Sequence, residues 1–314
     1  MMLARVADSL YWVGRYVERA EHLSRLASVM LNATLDRTDA GAQAAQLARA
    51  AVGDHEPSDD NNALDAARGL VLDRERPGGS VVDSLSRARE NARQVRDQIT
   101  TETWERLNLL YLRATDARAE RDFEANAPDF LAEIVADLHL FKGAADATMS
   151  HGEGWRFMVT GVHLERAMLI GRLLRVCFSG VQGQVLDDHL SLVSILRMAC
   201  ALEPYLRAYT ADLNARYILE FLLFDEDFPR SIRYSTERIE EHLNRLSKGR
   251  EIGRGDPARL AGRLNARLTY TDVEDVESPG ASAILTFVEA ECAAIHKAMF
   301  ETFVAYPLEM RLPA

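Results

Sequence analysis

The sequence predicts an all-α protein, a helical bundle built from two related halves. Three observations carry that prediction. Apolar residues recur at helical spacing almost throughout. No run of alternating β-branched residues reads as a strand. The heptapeptide Gly14-Arg15-Tyr16-Val17-Glu18-Arg19-Ala20 returns, 147 residues later, as Gly161-Val162-His163-Leu164-Glu165-Arg166-Ala167.

The elements follow in order. A first helix is expected from Leu3 to Leu35, and a weaker, Ala-rich one from Ala40 to Ala51. Gly53 to Asp60 has loop composition. A helix from Asn62 to Asp73 breaks at Pro77-Gly78-Gly79. Ser80 is placed to cap the next helix, with Asp83 three residues on, and that helix is expected to reach Gln98. Thr101 opens a helix to about Arg121, and Pro128 suits the first turn of another that ends at the Met149–Gly154 bend. A long helix from Trp155 to Phe178 stops at Gly180. Helices from Asp188 to Tyr209 and Leu213 to Phe224 precede a break at Pro229. Ser231 caps a helix to about Ser247, Gly249 to Pro257 is turn-rich, and Glu277-Ser278-Pro279-Gly280 precedes a last helix from Ala283 to Val304. Short loops between long helices favour a compact bundle.

The repeat extends beyond the heptapeptide. Arg25-Leu26 matches Arg172-Leu173 in the same register. Val71-Leu72-Asp73 with Pro77 and Ser80-Val81 matches Leu223-Phe224-Asp225 with Pro229 and Ser231-Ile232. Two matches in the same order imply half-bundles over about 1–150 and 151–314, related by a pseudo-twofold axis. At about 100° per residue, Leu3, Leu10 and Val17 share one face of the first helix, and Trp12, Tyr16, Leu23 and Met30 roughly the opposite one. A helix apolar on two faces is sandwiched within a bundle. Arg15, Glu18, Arg19 and His22 form the stripe between those faces, and Arg25 lies nearly in line with Glu18. The second half carries Glu165, Arg166 and Arg172 there, with Val162 and Leu169 replacing Arg15 and His22. The glycine four residues before each glutamate leaves room for close helix approach.

Charges on an internal helix must be paired. Two readings of the stripe stand side by side. Glu18 and Glu165 form buried ion pairs with Arg19, Arg25, Arg166 or Arg172 and fix the register of the halves. Alternatively, surplus arginines, Arg15 above all, line a polar cleft and bind a carboxylate or phosphate. Glu90, Asn91, Arg93 and Arg96 form a second polar stretch, which reads either as a solvated helix face with a Glu90–Arg93 pair or as a secondary site. Trp104 reads as a core anchor.

Composition narrows the function classes. The 314 residues are 47% hydrophobic and 27% charged, enough apolar material for a core without metals or disulfides. A net charge of −11 repels phosphate backbones and anionic lipid, so neither nucleic acid nor membrane is an expected partner. Cys177, Cys200 and Cys292 are widely spaced among apolar neighbours and read as reduced core thiols. No apolar signal core follows Met1, and no run of about 18 apolar residues occurs, so the cytoplasm is the expected location. Glu18 and His22 are four apart, but Leu169 interrupts the same pair in the second half, so no metal site is expected. Phosphate loops, G-x-S-x-G and H-E-x-x-H are absent from the sequence, and no cofactor is expected.

The residues Leu3 to Glu21, then Glu90-Asn91-Ala92-Arg93 with Arg96-Asp97 and Trp104, Glu153-Gly154-Trp155-Arg156-Phe157, Leu164-Glu165-Arg166-Ala167 and Phe228-Pro229-Arg230-Ser231 resemble the bacterial alpha-E family, helical domains named for a Glu-Arg motif. The resemblance spans nearly the whole chain and implies a single all-α domain over residues 1–314. It also implies genomic company: a circularly permuted ATP-grasp ligase, a transglutaminase-like protease and sometimes a proteasome-like peptidase. The expected function is that of a non-catalytic helical partner, or substrate-presenting subunit, of an ATP-grasp amide or peptide ligase. The alternative is an enzyme acting on small amides or peptides, with Glu18 or Glu165 as acid–base. A third reading is a structural dimerisation module, which would make the protein a homo-oligomer.

Overall fold

The computed structural model describes residues 2–35, 46–53, 63–178, 189–209, 212–249, 253–271 and 280–305. Those residues are overwhelmingly helical and include no β-strand. Helix α1 (Ala4–Leu35) runs first, and a short helical segment follows at 46–51. Then come α2 (Ala63–Leu72), α3 (Val81–Gln94), α4 (Thr101–Thr115), α5 (Ala119–Ala125) and α6 (Ala127–Thr148). The remainder is α7 (Glu153–Phe178), α8 (His189–Met198), α9 (Leu202–Ala208), α10 (Ala215–Phe224), α11 (Ile232–Leu246), α12 (Pro257–Thr269) and α13 (Gly280–Met299). A π-helical turn, Phe300–Val304, follows α13.

Helices α1 and α7 form the central pair and pack along each other more extensively than any other two elements. Helices α2, α3 and α6 cover the other sides of α1, while α11 and α13 cover α7. Outer contacts of α4 on α3 and α6, and of α12 on α11 and α13, close the bundle. This follows from the sequence. Leu10, Val17, Leu23, Leu26 and Met30 of α1 lie on different faces, and all are buried. In α7, Leu164, Ile170, Leu173, Leu174 and Cys177 are likewise enclosed. Burial pushes the Cys292 thiol up to about 12 and Cys177 higher still, so both behave as apolar core groups.

The capping signals operate as the sequence indicates. Ser80 accepts from the Asp83 amide, and Ser231 accepts from the Tyr234 amide. Pro128 sits in the first turn of α6 behind Asn126, whose side chain accepts from the Asp129 amide. Three expected helices are broken instead. The one expected to reach Gln98 stops at Gln94, because buried Val95 leaves helical geometry (φ −124°, ψ 30°), and a 3-10 turn follows. The one expected to reach Arg121 stops at Thr115, where the Asp116 carboxylate accepts from the Arg118 amide and forms a local turn in place of helix. The one expected over Asp188–Tyr209 is split at Cys200, which has φ 56°. The amides of Cys200 and Ala201 return to the carbonyls of Arg197 and Leu196, a Schellman ending without its usual glycine. Helix α12 was not anticipated, although Asp256-Pro257 supplies its cap and first-turn proline. The first part of the weak Ala-rich helix, most of the 53–60 loop, Gly180, residues 250–252 and residues 277–279 lie outside the described residues.

Candidate functional site: a buried ionic cluster at the α1–α7 crossing

The site begins with two glycines. A methyl group at Gly14 would overlap the carbonyl oxygen of Met158, and one at Gly161 would overlap that of Tyr11. The α1 and α7 backbones therefore touch, each helix contributing the glycine that admits the other. One turn further along, each glutamate crosses to the arginine of the opposite helix. Arg19 Nε donates to Glu165 Oε1 at 2.7 Å, and Arg166 Nε donates to Glu18 Oε1 at 2.8 Å.

Around this exchange the site divides into two groups. In the first, Glu165 also accepts from Arg15 Nε at 2.6 Å. The Arg15 guanidinium donates to the Tyr11 hydroxyl at 3.3 Å and lies 5.2 Å from the centre of the Trp12 ring. In the second, Arg166 holds Glu18 with both prongs of its fork, at 2.8 and 2.9 Å, while also donating to the Pro229 carbonyl. Lys142 Nζ bridges Glu18 and Glu21 at 2.5 Å each, and Arg230 reaches both carboxylates. Arg25 donates twice to Glu21, and His139 Nε2 lies 3.3 Å from it.

Six cationic side chains thus surround three carboxylates. Burial alone would raise the carboxyl of Glu18, but Arg166, Lys142 and Arg230 outweigh it and hold it well below the usual range. Burial likewise opposes ionisation of Glu21 and Glu165, and the cations beside each prevail. His22, facing the same cluster, is pushed down to about 4 by burial and by Arg230, and its Nε2 has no hydrogen-bond partner. It is a neutral ring and makes no pair with Glu18.

The expected residues separate accordingly. Arg15, Glu18, Arg19, Arg25, Glu165 and Arg166 meet in one cluster. Arg172 does not: two turns past the crossing α7 has left α1, and Arg172 faces Glu289 of α13 at 3.6 Å, 44% exposed. Arg15 lines no cleft, because its side chain is 5% exposed and its donors are committed to Glu165, Tyr11 and Met168. Glu90, Asn91, Arg93 and Arg96 lie away from the cluster. Glu90 and Arg93 form an exposed pair at 2.8 Å, Asn91 donates to the Arg87 carbonyl, and Arg96 stacks over Trp104.

Sequence reasoning missed Glu21, Lys142, Arg230 and His139 as members of the site. Glu21 is three residues past Glu18, so helical spacing could have placed it. Arg230 stands within Phe228-Pro229-Arg230-Ser231, where the Ser231 cap fixes the turn that presents it. Lys142 and His139 carry no local signal, since only the packing of α6 on α1 brings them in.

The chain is similar to three curated relatives. The chain is 28% identical to uncharacterized protein Mb2597 of Mycobacterium bovis and to uncharacterized proteins MT2643 and Rv2567 of Mycobacterium tuberculosis. Each match covers 94% of this chain but 35% of the relative, so the chain spans about a third of the length of those proteins. No solved structure matches it. Among the described residues, no helix is long and apolar enough to cross a membrane. The sequence profile of the alpha-E family, described as a predicted alpha-helical domain with a conserved ER motif, matches residues 2–304, and the chain belongs to that family.

Proposed function

We propose that this chain is a cytoplasmic, non-catalytic helical partner of an ATP-grasp amide or peptide ligase, binding the ligase or presenting its anionic peptide substrate. A transglutaminase-like protein is the second partner in the same system. The observation that carries the non-catalytic part is the state of the motif glutamates. Glu18 and Glu165 are each 2% exposed or less, ion-paired on both oxygens and held ionised. A general acid or base needs a pKa near the working pH and access to substrate, and these carboxyls have neither. That weighs against the alternative of an enzyme using Glu18 or Glu165 as acid–base. The partner itself rests on the family resemblance. The relatives' extra length is consistent with a module that works joined to, or beside, other domains.

The test is co-purification of the chain with an ATP-grasp ligase of the same organism, the partner class that the family resemblance implies, followed by ligase turnover assays with and without the chain. Stable association and faster turnover, with no amide formation or hydrolysis by the chain alone, support the proposal. Unchanged turnover without association, or turnover by the chain alone, overturns it.

A further inference from the structure

We propose that the solvent edge of the ionic cluster, where Arg25 of α1 meets His139 and Lys142 of α6, is a binding site for a doubly charged phosphoryl group, carried by free phosphate or by a small phosphate ester. The site goes beyond the ligase reading and does not depend on it. It lies in the Glu18–Glu21 group, whose charges do not balance. Four cations, Arg25, Lys142, Arg166 and Arg230, face two carboxylates, which leaves two positive charges over. Glu165 does not reduce that surplus, because Arg15 and Arg19 already outnumber it. No other carboxylate among the described residues pairs with any of the four. The neighbouring acids of α6 are turned elsewhere, Asp137 to Arg113 at 2.9 Å and Asp146, 71% exposed, to His151 at 3.5 Å.

The surplus is not needed for the helix crossing, which rests on the exchange of Glu18 with Arg166 and Glu165 with Arg19. In the register of the repeated heptapeptide, Met168 stands where Glu21 does. Arg172, in the place of Arg25, faces Glu289 of α13 instead. Helices of this pattern therefore pack without a carboxylate at that position and without a ring of cations around it.

Surplus charge matters to a ligand only where the ligand can reach it. Arg25 Nε and Nη2 are spent on Glu21, but Nη1 makes no hydrogen bond and is not among the buried atoms left without a partner, so it opens to solvent. His139, with its Nε2 3.2 Å from Arg25 Nη2, is 55% exposed. The Lys142 side chain is 23% exposed, and its ammonium has a third hydrogen beyond those on Glu18 and Glu21. Arg25 and Lys142 hold the two oxygens of the same Glu21 carboxylate, so their charges act on one small volume. A guanidinium edge beside an ammonium suits phosphate oxygens. A dianion matches the surplus of two, whereas a carboxylate would leave half of it. The protein as a whole, at −11, repels polyanions, which restricts the ligand to a small one.

The probes are inorganic phosphate, glycerol phosphate and acetate, titrated calorimetrically into the full chain in low-salt buffer at about pH 7.5, where the phosphoryl group is mostly dianionic. At least one of the two phosphates is expected to bind one-to-one and about tenfold or more tighter than acetate, and the tighter of the two identifies the source of the group. Arg25→Gln should weaken that phosphate by about tenfold with little change in melting temperature, since Glu21 keeps Lys142 and Arg230. Arg87→Gln, on α3 and paired with Asp83, should leave the affinity as it is. Acetate binding as tightly as either phosphate overturns the proposal without need of any variant. So does absence of binding of both phosphates at about 10 mM, or full phosphate affinity in folded Arg25→Gln.

Discussion

Replacing Glu18 by glutamine isolates the energetic meaning of the cluster. The substitution keeps side-chain shape, so no cavity opens and only charge is lost. Glu18 is 1% exposed and meets Arg166, Lys142 and Arg230. Lys142 and Arg230 retain Glu21, so the loss falls chiefly on Arg166, whose side chain is 11% exposed. Removing one partner of a buried pair costs about 3–5 kcal/mol, because the other charge stays buried without compensation. At about 2.1 cal/mol/K per residue, 314 residues have an unfolding entropy near 0.66 kcal/mol/K. The expected fall in melting temperature is therefore about 5–8 °C. Urea unfolding followed by circular dichroism should show a lower midpoint at unchanged slope. Glu90→Gln, in the exposed Glu90–Arg93 pair, should leave the midpoint where it is. A loss under about 1 kcal/mol for Glu18→Gln, the value of a surface pair, would refute the reasoning.

Other expectations follow from the same geometry. Gly14→Ala and Gly161→Ala each force a methyl against a carbonyl of the opposite helix and should cost about 1–3 kcal/mol or more, while Gly69→Ala and Gly143→Ala, in open helical positions, should gain about 0.5–1 kcal/mol; thermal melts of the four variants check the contrast. The depressed carboxyls of Glu18, Glu21 and Glu165 contribute stability that is whole above their unfolded value of 4.5 and is lost as pH falls toward their lower folded values, so a melting-temperature profile should steepen below about pH 4.5. His22 adds an earlier decline. Its folded value near 4 lies below the unfolded 6.5, so stability is whole above pH 6.5 and falls across that window. His22→Leu should make the decline between pH 6.5 and 4 shallower without abolishing it, since His163 and His242 are depressed in the same direction, and should leave stability at pH 7 equal or higher, since an unpartnered buried nitrogen disappears.

Helices α1 and α7 were legible because each is long, periodic on two faces and punctuated at its glycine. What local pattern could not give was termination inside polar or apolar runs. Cys200 ends α8 in the left-handed region with no glycine to signal it, and Asp116 ends α4 through a side-chain bond that competes with the helix. The site followed the same division. The crossed Glu–Arg pairs lie on the helices that carry the motif, so spacing placed them. Arg172 was misplaced because a stripe drawn along one helix ignores where its neighbour diverges. Lys142 and Arg230 belong to elements far along the chain, and only tertiary packing puts them at Glu18.

Glu18 and Glu165 are equivalent as motif partners but not in reach. Glu18 binds Lys142 of α6, Arg166 of α7 and Arg230 at the entry to α11, so one carboxylate ties α1 to three other elements. Glu165 takes its cations from Arg15 and Arg19, both on α1. Glu165→Gln should nonetheless lower the melting temperature by about 5–8 °C, as Glu18→Gln does, because the Arg15 side chain, 5% exposed, is left buried without its carboxylate. Thermal melts of the two variants check the expectation. A fall under about 1.5 °C in Glu165→Gln alone would mean that the Tyr11 hydroxyl and the Met168 sulfur suffice for Arg15, and that the register of the two helices is held by the glutamate with the wider reach.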